Sequence, residues 1–255
     1  MGQGCGIDIG GSGIKAATVD LTTGELTSDR LRLATPTPST PDAVAAVAAD
    51  VIAQLSWNGP VGCTFPAVVT AGVARTAANV DPSWIGTNIE DVIGGSLGVR
   101  VTALNDADAA GVAEANFGAA QNQPGLVVVV TLGTGIGSAL LHEGTLIPNS
   151  ELGHLEVCGV DAETMASAGA RDRDLLGWPA WAERLQRYLK VLEDYLWPDL
   201  VVIGGGVSKK ADKFIPELDL RAPVVPAALR NQAGIVGSAM AAGLAGPTVA
   251  AGDSA

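Results

Sequence analysis

Apolar residues in this chain fall into two kinds of run. Short blocks at 6–9, 14–19, 61–65, 101–104, 126–131, 138–141 and 200–203 are rich in Val, Ile and Leu, and most are continuously apolar. Such blocks predict strands, and their continuity predicts burial on both faces, as in the sheets of a layered α/β protein. Between them the period lengthens to that of a helix. Thr40 and Pro41 supply a capping hydroxyl and a first-turn proline, after which Val44, Val47, Val51, Ile52 and Leu55 recur on one face. A second helix is expected over 179–197, with Trp181, Leu185, Tyr188, Leu189, Leu192 and Leu196 on one stripe and Pro198 ending it. That stripe is either core or a subunit contact. A helix is also expected over 106–116, directly after a strand, and a small-residue helix over 233–244. The Ala/Gly/Ser-rich segment 246–255 reads as disordered.

Two strands run into glycine-rich hairpins. They are Asp8-Ile9-Gly10-Gly11-Ser12-Gly13-Ile14-Lys15 and Thr131-Leu132-Gly133-Thr134-Gly135-Ile136-Gly137-Ser138. Glycine reaches positive φ and lets N–H groups approach an anion closely, so each hairpin is either a tight turn without a ligand or a phosphate-holding loop. Two of them in two halves of one chain, each with a hydroxyl inside the turn, point to a phosphate clamp. They begin similar strand-rich units, which predicts two α/β lobes around a ligand cleft: residues 1–108, joined by the helix at about 233–245, and residues 109–232. Neither standard nucleotide motif is present. The second hairpin has Ser138 where a dinucleotide fingerprint needs its last glycine, and no G-x-x-x-x-G-K-[ST] occurs.

Composition narrows the class. The chain has 255 residues, 47% of them apolar, enough for a sizeable core. A net charge of −12 argues against general nucleic-acid binding. No apolar run approaches the roughly 20 residues that span a bilayer. The first residues lead almost directly into a strand, and three scattered cysteines suit a reducing compartment, so a cytoplasmic location is expected. One local exception stands out. Lys209, Lys210 and Lys213 follow the run Gly204-Gly205-Gly206, either to attract a polyanion, with Arg171 and Arg173 as lesser helpers, or as a solvated helix start.

Two segments carry candidate chemistry. Leu104-Asn105-Asp106-Ala107-Asp108 lies where a strand gives way to a helix. Asp106 there is either a helix N-cap or a base for an attacking hydroxyl, and Asp108 is read as a first-turn charge complementing the helix dipole. Glu151-Leu152-Gly153-His154-Leu155-Glu156 suits hydroxyl-rich recognition, as of a sugar, with metal ligation as the rival use. His142 ends a strand and needs no special role.

Taken in order, the two hairpins, the Asn105-Asp106 pair, Glu151-Leu152-Gly153-His154 and Gly204-Gly205-Gly206 resemble the ROK family of sugar kinases and repressors. The segments from Arg75 to Asn88 and from Pro223 to Leu229 resemble its actinobacterial, polyphosphate-using branch. The resemblance implies an actin-like (ribonuclease H-like) pair of lobes, a homodimer, glucose as acceptor, inorganic polyphosphate or ATP as donor, and Mg²⁺. It makes Asp106 the base for the sugar 6-hydroxyl. Asn105, Glu151 and His154 fall at sugar-binding positions, with Asn79 and Glu156 as further candidates. Gly10, Gly11, Ser12, Gly13 and Lys15, then Thr131, Gly133, Thr134 and Gly135, fall in the phosphate loops. Asp8 would lie near Mg²⁺, directly or through water, and Gly204, Gly205 and Gly206 beside the adenosine or the distal phosphates.

Two departures from the family pattern matter. Cys158 is the only cysteine after His154, where many members carry a C-x-C-G-x-x-G-C zinc cluster, so no structural zinc is expected. Ala67 replaces a usual glycine after Pro66. An ATP-only sugar kinase is the near alternative. A non-catalytic sugar-sensing regulator would need a DNA-binding module, for which the residues before Asp8 leave no room.

Overall fold

The computed structural model describes residues 2–244. The chain divides into two compact units, one running to Leu104 and resuming at Ser238, the other spanning Asn105–Gly237. The expectation for 246–255 lies outside the described residues.

Each unit is organised by one five-stranded sheet. The first contains β1 (Gln3–Gly10), β2 (Gly13–Asp20), β3 (Leu31–Leu33), β4 (Val61–Phe65) and β5 (Val101–Asn105), in the spatial order β3-β2-β1-β4-β5. The second contains β6 (Leu126–Leu132), β7 (Ile136–His142), β8 (Thr145–Ile147), β9 (Leu200–Gly204) and β10 (Val224–Pro226), in the order β8-β7-β6-β9-β10. Counted along the chain, both sheets read third, second, first, fourth, fifth. In both, the first three strands pair antiparallel and the fourth runs parallel to the first. The second sheet thus repeats the topology of the first, as two related α/β lobes require.

The continuously apolar runs have a simple cause. Val128, Val130 and Leu132 of β6 pack into one core cluster, while Val127 and Val129 pack into another. Alternate side chains of a strand point to opposite faces, so a strand covered on both sides has no polar positions to spare. The first cluster is closed by α4 (Ala162–Ala166) and α6 (Trp178–Leu196), whose Trp181, Leu185, Tyr188, Leu189 and Leu192 are buried in it. The aromatic stripe is therefore core. In the first unit, Ile7, Ile9 and Ile14 pack against Val44 and Val51 of α1 (Pro41–Gln54) and Ile89 and Ile93 of α2 (Ile89–Leu97).

Several elements depart from the sequence expectation. Helix α2 has no counterpart there, because its nine residues include Gly94 and Gly95 and are delimited by caps more than by periodicity. Asn88 accepts from the Glu90 and Asp91 amides at its start, and Gly98 turns left-handed at its end. Strands β3, β8 and β10 are three residues each, too short to show a period. The lysine segment is a 3₁₀ run, Gly206–Lys213, not a regular helix start. The remaining helices are α3 (Asp106–Phe117), α5 (Ala168–Arg173) and α7 (Ala233–Leu244). Among the described residues no helix is long and apolar enough to cross a membrane.

Candidate active site

The first hairpin joins β1 to β2 through Gly11 and Ser12, with Gly10 paired to Gly13. The Gly11 and Ser12 N–H groups are exposed and have no partner among the described residues. Asp8 and Lys15 face each other across the hairpin, and Lys15 Nζ donates to Asp8 Oδ2 at 2.7 Å. Thr64 Oγ1 of β4 donates to the other carboxylate oxygen at 3.0 Å. Asn79 lies against Gly11, its carbonyl oxygen 3.1 Å from where a Cβ would stand. Arg32 of β3, which no sequence motif singled out, donates from Nη2 to the Ser12 carbonyl at 3.0 Å.

The second hairpin, between β6 and β7, is braced from below. Gly133 donates to the Gly135 carbonyl, Gly169 of α5 donates to the Gly133 carbonyl, and Glu163 of α4 accepts from the Ile136 amide at 2.8 Å. The Thr134 and Gly135 N–H groups have no partner among the described residues. Each hairpin thus leaves two consecutive amides available to an anion. The reason for the glycines differs from the sequence expectation. None of Gly10, Gly11, Gly13, Gly133, Gly135 or Gly137 has positive φ. Several are needed for close approach instead, as at Gly135, where a Cβ would strike the Glu163 carboxylate.

Gly205 is where backbone freedom is required. It has φ +79° and ψ 179°, and a Cβ there would stand 2.6 Å from the Leu132 amide nitrogen. Gly204 is in register with Thr131, so the Gly204-Gly205-Gly206 turn lies directly beside the second hairpin. Ser208 holds the turn by donating to the Gly205 carbonyl at 2.8 Å. The exposed Lys209 and Lys210 follow, and Lys213 Nζ is 3.5 Å from Asp212. Buried Phe214, stacked against Trp178 and edge-on to Trp181, anchors the end of this run. Arg171 and Arg173 are already engaged. Arg171 lies 3.8 Å over the Trp178 ring, and Arg173 pairs with Asp174 at 2.8 Å.

The acid-rich segment sits at the start of α3. Asn105 is the N-cap, its Oδ1 accepting from Ala107 at 2.8 Å and Asp108 at 3.2 Å. Asp106 is therefore the first helical residue and not the cap, and it is exposed. At the other end of α3, buried Glu114 accepts from the Ala119, Ala228 and Leu229 amides at 2.7–3.0 Å. This explains the Pro223 to Leu229 segment as the clamp on α3.

Asp108 lies in the first turn of α3, as expected, but it is buried. It is 2% exposed, Oδ2 accepts from the Asn149 amide at 2.9 Å, and Oδ1 has no partner. Loss of solvent pushes its pKa up to about 6, with the Glu151 and Asp106 charges adding to the rise.

Glu151 lies two residues beyond Asn149, and burial raises its pKa as well. His154 Nδ1 is 2.9 Å from Asp161, whereas its Nε2 is 4.0 Å from Glu151. The hydrogen bond to Asp161 is the main cause that raises the imidazole pKa. Glu163 and Glu151 act on it in the same direction. Asp161 and Glu163 carried no signal in the sequence, because each becomes meaningful only when the 156–161 ribbon and α4 fold back onto this cluster. Glu156 is exposed and lines a surface depression with Cys158, Gln186, Lys190 and Tyr195.

Among the described residues no group of three or more His, Cys, Asp or Glu side chains could hold a metal ion. Mg²⁺ in phosphoryl-transfer sites is held by one or two carboxylates and the substrate phosphates, and it keeps several waters. Asp8 fits that use in its water-mediated form, since both its oxygens already accept from Lys15 and Thr64.

Residues 4–170 match the family model described as the ROK family. The chain belongs to the ROK family. It is 58% identical over 240 residues to the polyphosphate glucokinase of Mycobacterium tuberculosis, covering 94% of this chain and 91% of that one. Its structure matches the inorganic polyphosphate/ATP-glucomannokinase of Arthrobacter sp. strain KM with a TM-score of 0.92 at 51% identity, covering 96% of this chain and all of that one. A ROK family glucokinase from Streptomyces griseus, solved with glucose and AMPPNP, matches at TM-score 0.79 and 25% identity over 95% of this chain. As in this ROK-family chain's own geometry, the likeness extends across both units.

Proposed function

We propose that this chain transfers the terminal phosphoryl group of inorganic polyphosphate, and of ATP, to the 6-hydroxyl of glucose. The observation that carries the reading is an exposed Asp106 in the first turn of α3, with Asn105 as the cap, in a chain 58% identical to a polyphosphate glucokinase. Asp106 accepts the proton of the 6-hydroxyl as that oxygen bonds to the terminal phosphorus. The bridging P–O bond then breaks, releasing polyphosphate shortened by one unit, or ADP. Such transfer depends mainly on positioning and charge stabilisation.

Asn105, Glu151 and His154 bind the sugar hydroxyls, and Glu163, which acts electrostatically on His154 and Glu151, joins them. Asn79, beside Gly11, is the candidate from the first unit. The unpartnered amides of Gly11 and Ser12, with Lys15 beside them, and those of Thr134 and Gly135, with the Gly204-Gly205-Gly206 turn beside them, bind phosphate oxygens. Asp8 would hold Mg²⁺ through water, and the ion would supply neutralisation of charge on the donor phosphates. Lys209, Lys210 and Lys213 attract the extended polyanion. A homodimer is supported by apolar side chains left in water at the end of α6, Tyr195 at 81% and Trp197 at 66% exposure. A cytoplasmic location is part of the same reading and rests on the three scattered cysteines, which suit a reducing compartment.

The test is a panel of glucose and mannose against polyphosphate and ATP, run on the wild type and Asp106→Asn. Glucose 6-phosphate from polyphosphate in the wild type, strongly reduced in the variant, is the expected result. Activity with ATP alone would leave the ATP-only kinase standing, and no activity with either donor would overturn the enzyme reading.

A further inference from the structure

We propose that Arg32 is a phosphate-binding residue of the donor site, one that holds phosphate groups of polyphosphate behind the group transferred. The proposal rests on the donor reading above and adds a residue to it.

Thr64, Asp8, Lys15 and Arg32 are in register across β4, β1, β2 and β3. Residues directly opposite one another project from the same face of a sheet, so these four form one transverse row. Within the row Lys15 and Thr64 both donate to Asp8, and the Asp8 and Lys15 charges offset each other. Arg32 leaves the row with one uncompensated positive charge. No carboxylate pairs with it among the described residues. Two cations opposite each other across an antiparallel pair are unfavourable by themselves, and a bound anion removes that penalty.

The guanidinium is also built onto the phosphate hairpin. Nη2 donates to the Ser12 carbonyl at 3.0 Å. The group lies so close to Gly13 that a Cβ there would stand 2.7 Å from Nε and 2.8 Å from Nη2. One glycine of the hairpin therefore makes room for an arginine. Its remaining N–H donors sit beside the turn whose Gly11 and Ser12 amides are unpartnered. A planar fork of donors matches two phosphate oxygens at once, which an ammonium does not. Strand β3 is an edge strand, so an anion longer than the transferred group can pass Arg32 without meeting another strand.

The experiment measures, on the full chain, calorimetric affinity for inorganic tripolyphosphate and for glucose, together with KM for long-chain polyphosphate. The proteins are the wild type, Arg32→Ala and Arg32→Lys, with melting temperature as a folding check. Loss of a charge-assisted contact should weaken tripolyphosphate binding and raise the polyphosphate KM by about tenfold or more in Arg32→Ala, with a smaller change in Arg32→Lys. Glucose affinity should stay within about twofold. The slope of log affinity against log salt for polyphosphate should fall by about one. Unchanged tripolyphosphate binding in Arg32→Ala, in a wild type that does bind it, overturns the role of Arg32 and leaves the donor reading intact. Equal weakening of glucose and tripolyphosphate also overturns it, by showing a structural effect. A wild type that binds no tripolyphosphate sinks the donor reading itself.

Discussion

The two units share a strand order and a glycine hairpin between their first two strands, yet they dress that hairpin in opposite charge. In the first, Lys15 and Arg32 flank the turn, with a single carboxylate, Asp8, already paired. In the second, Glu163 sits under the turn, Glu151 and Asp161 act with it on His154, and Asp106 and Asp108 belong to the same unit. Both turns leave open amides that suit an anion, but the first adds cations beside them, whereas the second unit adds carboxylates and an imidazole, groups of the kind that suit hydroxyls. Backbone topology sets where the turns occur. The side chains on neighbouring elements decide the charge that surrounds each turn.

The sharpest way to break this division is at Asp106. Asp106→Asn should lower turnover about 10² to 10⁴-fold while calorimetric glucose affinity changes by no more than a few-fold. A variant with near-normal turnover would remove the acceptor chemistry from the second unit. The next largest effect is expected at Gly205, whose backbone region is open essentially to glycine alone and whose Cβ would meet the β6 backbone. Gly205→Ala should cost about 3 kcal/mol in stability, read from the urea midpoint. An unchanged midpoint would mean the turn is not held against β6 as described.

Asp108 sharpens the comparison through pH. Its folded pKa of about 6 lies above the ordinary carboxylate value, so the folded state binds its proton more tightly than the unfolded chain does. That contribution is fully present below about pH 4 and is lost as pH rises through about 6. Asp108→Asn keeps an acceptor for the Asn149 amide without the charge. Its stability relative to the wild type should therefore rise by roughly 2 kcal/mol between pH 4 and pH 7.5. A difference that stays flat with pH would place the titration elsewhere. The smallest expected change is at the exposed His154–Asp161 pair. Asp161→Asn should lower the His154 pKa toward its ordinary value in an NMR titration, with little change in melting temperature.

Much of the fold was legible before any coordinates. Seven strands, the long helices and the hairpins follow from runs whose composition depends only on how many faces are buried. What escaped was short or held by contacts remote in sequence. Helix α2 depends on Asn88 and Gly98 at its ends, and the three-residue edge strands β3, β8 and β10 depend on a neighbour to pair with. At the site, Asp106, Glu151 and His154 stood out because they occur in local groups with recognisable chemistry. Arg32, Asp161 and Glu163 did not, since each reaches its partner only across strands or through a folded-back ribbon.

The sequence by itself therefore determined the repeated α/β architecture, the placement of both hairpins and the family of chemistry, because these rest on local patterning and on motif order. The tertiary structure decided the rest: that Asn105 and not Asp106 caps α3, that Asp108 is buried with one oxygen unpaired, and that Gly13 yields space to Arg32. Those facts depend on through-space distances and on exclusion of solvent. Neither is a property of neighbours in the chain.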